Sequence, residues 1–153
     1  MEYMKLAIEE AKKGMGCGDG GPFGAVIVKD GKIVGQGHNM VLVSKDPTAH
    51  AEVTAIRNAC KNLDTFDLTG CQLYTSCYPC PMCMGAALWS RVNAIYYGAT
   101  SQDAADIGFG DHEFHDFLKN PKTDEKRKLE QFKADNYLEP FQMWSKKSDR
   151  NLY

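Results

Sequence analysis

No stretch of this chain approaches the run of about eighteen apolar residues that a membrane helix needs. Its N-terminal segment carries Glu2, Lys5, Glu9, Glu10, Lys12 and Lys13 where a secretory leader requires an apolar stretch. Both absences make a cytoplasmic protein with no membrane partner the expectation. An excess of one charge is lacking too: 18 Lys and Arg stand against 20 Asp and Glu, a net charge of −2 with His neutral. Such a chain has no global field to recruit a polyanion, so no nucleic-acid partner is expected. Lys122, Lys126, Arg127, Lys128 and Lys133 do cluster, but Asp124, Glu125 and Glu130 are interleaved with them, the pattern of a solvated helix face. The sequence has no internal repeat and no low-complexity linker. With 43% apolar and 25% charged residues over 153 positions, it reads as one ordinary globular domain with one core.

Six cysteines occur, at positions 17, 60, 71, 77, 80 and 83. Without a secretory leader three disulfides are not the natural reading, and Cys77, Cys80 and Cys83 sit too close together for a framework of crosslinks. Reduced thiols or metal ligands are expected instead.

Residues 6–13 suit a short helix, which Gly14, Gly16, Gly18, Gly20 and Gly21 then end, since each glycine costs a helix about 1 kcal/mol. Residues 24–28 form an apolar, β-branched run, Asp30-Gly31 is a strong hairpin signal, and residues 32–37 return as the partner strand. Asp46-Pro47 offers a cap followed by Pro. Val53, Ile56, Ala59, Cys60 and Leu63 then repeat at helical spacing, which puts His50 and Glu52 in the first turns of a helix. Residues 72–75 and 92–98 read as strands, and Pro81 as the first residue of a second helix through Met84, Ala87 and Leu88. Alternating strands and helices argue for an α/β layer architecture with parallel pairs beside an antiparallel hairpin edge. From Ser101 onward only short helical stretches are expected.

The chemistry concentrates in His50-Ala51-Glu52 and Pro79-Cys80-Pro81-Met82-Cys83. With Pro81 first in its helix, Cys80 is the N-cap and Cys83 lies three residues on, the two positions whose side chains meet in a capping box. Two sulfurs and the His50 imidazole therefore converge, with two helix N-termini favouring thiolate. One imidazole and two thiolates suit zinc, and three protein ligands leave a fourth position for water. Glu52 is then placed to take a proton from that water and deliver it to a leaving amine. A structural zinc knuckle would need a fourth ligand from Cys77, Cys71 or His38; an iron–sulfur run would need Cys at position 87, which is Ala87. Cys17, Cys60 and Cys71 are most simply small apolar side chains or incidental thiols, and His112 and His115 are given no metal role.

His-x-Glu followed by Pro-Cys-x-x-Cys resembles the cytidine-deaminase-like zinc deaminases. Residues 21–28, 46–53 and 74–77, together with 79–83, look closest to the short bacterial-type guanine deaminases, the likeness running from about Pro22 to Asp111. The resemblance implies a three-layer α/β/α sandwich with a mixed five-stranded sheet over residues 1–153. It implies one Zn²⁺ per subunit on His50, Cys80 and Cys83, with Glu52 as proton shuttle, and hydrolysis of guanine to xanthine and ammonia. It also implies base contacts from Asn39, Asp111, Phe23, Trp89 and Ala51, and a homodimer whose residues 120–153 cross to the partner and bring Tyr153 near its substrate. An Asn amide that donates and accepts, beside a carboxylate that accepts only, matches the polar edges of a purine base. On the residues alone, Asn39 also suits a turn ending the second strand, Asp111 a helix cap, and Phe23 and Trp89 ordinary core aromatics. Where many relatives carry Glu before Pro-Cys-x-x-Cys, this chain has Tyr78. Alternatives of the same chemistry are deamination of cytosine or of adenosine in tRNA; an alternative of another class is a non-catalytic, zinc-stabilised binding module, which would have no use for Glu52.

Overall fold

Asp30 and Gly31 take φ of 49° and 74°, which turns the chain back tightly and pairs β1 (Gly24–Lys29) with β2 (Lys32–His38) as an antiparallel hairpin. In this computed structural model, which describes residues 2–153, β1 also pairs antiparallel with β3 (Cys71–Cys77). In turn β3 pairs parallel with β4 (Ala94–Ala99). The sheet order is β2-β1-β3-β4. Among the described residues it has four strands rather than the five expected. Residues 124–138 contain no Val, Ile or Thr, so the chain after β4 offers no stretch with strand chemistry there. It continues instead as α5 (Ser101–Asp106), started by a Thr100/Asp103 capping box, then α6 (His112–Lys119), a 3₁₀ turn (Pro121–Thr123) and α7 (Glu139–Lys146).

Helices cover both faces of the sheet, giving the expected three layers. On one face, α1 (Glu2–Gly16) lies so close that a Cβ on Gly24 would stand 2.1 Å from the Ala7 carbonyl oxygen. On the other, α3 (Ala51–Leu63) presses on β2, where a Cβ on Gly35 would stand 2.4 Å from the Ala55 carbonyl oxygen. Small residues make this contact: Ala51, Ala55 and Ala59 of α3 pack with Ala25, Ile27, Leu68 and Leu73 and with Ala87 of α4 (Pro81–Trp89) in one buried core. Full burial of a side chain such as Ile27 or Leu73 contributes about 1.5–3 kcal/mol. The chain forms two compact units, one running to His112 and one from Glu113 to Tyr153.

The α1 helix runs three residues past Lys13, through Gly14 to Gly16, and at position 14 an added Cβ would stand 2.4 Å from the His38 ring, which a larger residue would displace. At the other predicted start, α3 begins at Ala51, not near Pro47. The Asp46 carboxylate accepts from the Thr48 backbone N–H at 2.8 Å and its hydroxyl at 2.7 Å, which closes a separate turn ahead of the helix. The four-residue α2 (Val41–Ser44) lies between β2 and that turn.

Candidate metal centre

Each half of the centre is a helix start. His50 is the N-cap of α3 and Cys80 the N-cap of α4, both with extended backbone, and Pro81 fills the first position of α4. Neither cap side chain bonds the backbone of its own helix. Both point instead at a shared spot: His50 Nδ1 lies 3.6 Å from Cys80 Sγ and 3.5 Å from Cys83 Sγ. All three donor atoms fall within 4.8 Å of one another. Zinc bonds of about 2.0–2.1 Å to nitrogen and 2.3 Å to sulfur, held at tetrahedral angles, place N and S about 3.6 Å apart. The donor set and its spacing therefore fit a zinc ion.

The candidates for a fourth protein ligand are engaged elsewhere. Cys77 is buried and donates its S–H to the Thr100 carbonyl at 3.5 Å. Cys71 belongs to the core, and both nitrogens of His38 face carboxylates. Among the described residues the group of candidate donors stays at three, the number that a catalytic zinc takes from its protein.

The thiols are electrostatically unequal. A hydrogen bond from Cys83, with the His50 imidazole beside it, draws the Cys80 thiol down to about 4. The same bond, with burial, pushes the Cys83 thiol up. Bonding to Cys80 raises His50 above its ordinary value. Glu52, in the first turn of α3 two residues after His50, is only 6% exposed. Its Oε1 accepts from the Thr75 hydroxyl at 3.0 Å, and burial raises its carboxyl above the usual range although Cys83 and Thr75 pull the other way. Thr75 escapes motif reading, because one β-branched polar residue within a strand alternation carries no signal of its own.

Of the other expected contacts, Asn39 and Phe23 adjoin each other: the Asn39 N–H donates to the Phe23 carbonyl at 2.9 Å, and the next residue, Met40, donates to the carbonyl of Ala49, which precedes His50. Asn39 is 5% exposed. Its Oδ1 accepts from the backbone N–H of Gly21 at 3.3 Å and of Val41 at 3.1 Å. Its carbonyl side is thus spent on backbone, and the side chain can offer a ligand its NH₂ only, where the sequence led us to expect a donor and an acceptor. Ala51 is fully buried at the start of α3. The Phe23 ring meets Phe109 edge-on at 5.1 Å, and Asp111 follows two residues later, directly before α6. Asp111 lies near enough to Cys77 to act on its thiol. Trp89 ends α4, six residues or about 9 Å of helix beyond Cys83, and is 71% exposed. Tyr153 belongs to the second unit and is exposed. Tyr78, in place of a carboxylate, meets Tyr97 edge-on at 5.1 Å.

Comparison with known proteins is consistent with this geometry. Residues 1–99 match the cytidine and deoxycytidylate deaminase zinc-binding region. Over 151 residues, 99% of this chain and 97% of the relative, the sequence is 47% identical to the guanine deaminase of Bacillus subtilis (strain 168). The X-ray structure of guanine deaminase from Bacillus subtilis superposes with a TM-score of 0.95, at 47% identity over 99% of this chain and 97% of that one. A tRNA-specific adenosine deaminase of Haemophilus influenzae is 42% identical over 120 residues, 78% of this chain and 69% of the relative.

Proposed function

Because this chain belongs to the cytidine and deoxycytidylate deaminase zinc-binding family, we propose that it is a guanine deaminase, which hydrolyses guanine to xanthine and ammonia. The observation that carries the substrate is the reach of the likeness: the 47% identity to a guanine deaminase spans 99% of the chain. The tRNA-specific relative matches 78% of it, and a net charge of −2 gives no field for a polyanion.

His50, Cys80 and Cys83 would hold a zinc ion, whose Lewis acidity would make water a nucleophile at neutral pH. Glu52 does the proton work. Its carboxylate takes a proton from the attacking water and returns it to the exocyclic amine, so that a C–O bond forms and a C–N bond breaks at the same ring carbon. Burial suits it to both tasks, since a carboxyl with raised proton affinity is the better base and remains able to act as an acid. Thr75 fixes Oε1. Asn39 donates from its NH₂ to an acceptor of the base, and Asp111 accepts from ring N–H groups. Phe23, Trp89 and Ala51 supply the apolar walls. A site that hydrogen-bonds a base edge rejects analogues lacking the matching group far more strongly than apolar walls can.

The same reading makes the protein a cytoplasmic homodimer in which residues 120–153 cross between subunits and bring Tyr153 to the partner's substrate. It is supported by the second unit itself, in which no residue from Glu113 to Tyr153 is buried although Phe132, Phe141, Met143, Trp144 and Leu152 are large and apolar. The test is ammonia release by the zinc-loaded protein from guanine, cytosine, adenine, guanosine and a tRNA hairpin, with Glu52→Gln as control. Release from guanine that disappears in the variant is expected; release from cytosine or the hairpin instead would overturn the substrate.

A further inference from the structure

The best-built polar cluster outside the metal centre surrounds His38. Its Nδ1 lies 3.0 Å from Glu10 Oε2 on α1, and its Nε2 lies 2.8 Å from Asp19 Oδ2 in the glycine-rich segment that follows α1. The His38 and Glu10 side chains are 13% exposed. Carboxylates only accept, so the ring serves both partners when both its nitrogens carry hydrogen. Gln36 at 3.3 Å and Lys13 at 3.7 Å complete the surroundings of Glu10. Room for the ring exists because position 14 is glycine.

What the cluster holds is the segment resting on Asn39. The Asp19 carbonyl accepts from the Leu42 and Val43 N–H groups at 3.0 and 3.1 Å. A Cβ on Gly20 would stand 2.0 Å from Asn39 Oδ1, and Gly21 N–H is one of the two donors to that oxygen. The residue next to the one that turns Asn39 toward a ligand is therefore tied, through Asp19, to the strand residue that precedes Asn39.

We infer that His38 is a positioning residue: it latches Asp19–Gly21 over Asn39 and so fixes the amide in the orientation that presents its NH₂ to the base. The inference rests on the proposed role of Asn39 in binding guanine. A latch of this kind acts on binding of the base in ground state and transition state alike, so its loss raises KM and leaves kcat nearly unchanged.

The decisive variants are at Asp19, because Asp19→Ala removes one end of the latch while His38 keeps its seat on Gly14 and its bond to Glu10. Asp19→Ala is expected to raise KM for guanine about tenfold, the effect of losing one charge-assisted hydrogen bond, with kcat within about twofold. Asp19→Asn keeps an oxygen acceptor for Nε2–H and is expected to restore most of the affinity. His38→Ala should match Asp19→Ala. Independently of any substrate, amide hydrogen exchange at Gly21, Leu42 and Val43 should accelerate in Asp19→Ala and return toward wild type in Asp19→Asn. Unchanged exchange in Asp19→Ala, a fall in kcat at constant KM, or an Asp19→Asn as impaired as Asp19→Ala would each overturn the latch. A wild type silent toward guanine would overturn the substrate reading instead, while the exchange measurement would still decide whether the latch exists.

Discussion

The two units are ordered by different forces. Up to His112 the chain has a dry core, in which Ile27, Leu68 and Leu73 are fully buried and alanines seat α3 on the sheet. From Glu113 on, no residue is buried, and order comes from local surface contacts. Arg127 bonds Asp124 at 2.8 Å and 3.1 Å and stands over the Phe114 and Phe117 rings at 5.7 Å and 5.4 Å. Exposed pairs of that kind contribute little, so the second unit draws little stability from itself. A region that carries its own core can hold atoms at bonding distance for catalysis. A region with apolar side chains and no core of its own is suited to completing something else.

The comparison breaks most sharply at Glu52. Replacing it by Gln should cut ammonia release by about 10²–10⁴-fold, with zinc content and unfolding of both units unchanged, as metal analysis and a thermal melt would show. In the wild type, activity is present while Glu52 is ionised and is lost as pH falls through its raised pKa. The acid limb of kcat/KM should therefore lie above the ordinary carboxylate value of about 4.3; a limb at that value would contradict the burial argument. Removing residues 141–153 should cripple turnover and leave zinc bound, since the metal centre lies wholly in the first unit; full activity would exclude any closing role for that segment. Cys83→Ala should lower zinc content and melting temperature together, because metal binding contributes to folding, and full zinc occupancy would remove Cys83 from the ligands. Leu73→Ala should cost about 2–5 kcal/mol in denaturant unfolding. The smallest effect belongs to Phe132→Ala, at a side chain 88% exposed, which should shift the stability of the isolated subunit by no more than about 0.5 kcal/mol. A large loss there in the assembled protein would show that the second unit is buried by a partner copy.

The metal centre was legible because its signals are local: Cys80, Pro81 and Cys83 fall within one helical turn, and His50-Ala51-Glu52 within another. The hairpin was legible because Asp-Gly is a turn whose geometry few other pairs adopt. The start of α3 was not, since Asp46-Pro47 has the chemistry of a cap and only the Thr48 contacts show that Asp46 is occupied otherwise. His38 was invisible for a different reason, its partners lying 28 and 19 residues away in sequence. The direction of the Asn39 amide likewise depends on Gly21, 18 residues earlier, and the missing fifth strand on a stretch whose length suits a strand and whose side chains do not.

His50 and Cys80 occupy the two positions where Ser, Asp or Asn would have bonded the first turn of a helix, and neither does so. A good cap adds about 1 kcal/mol to a helix. Anyone engineering heat resistance by optimising helix starts would therefore be drawn first to these two residues, and each stabilised variant would have traded away a donor atom of the metal centre.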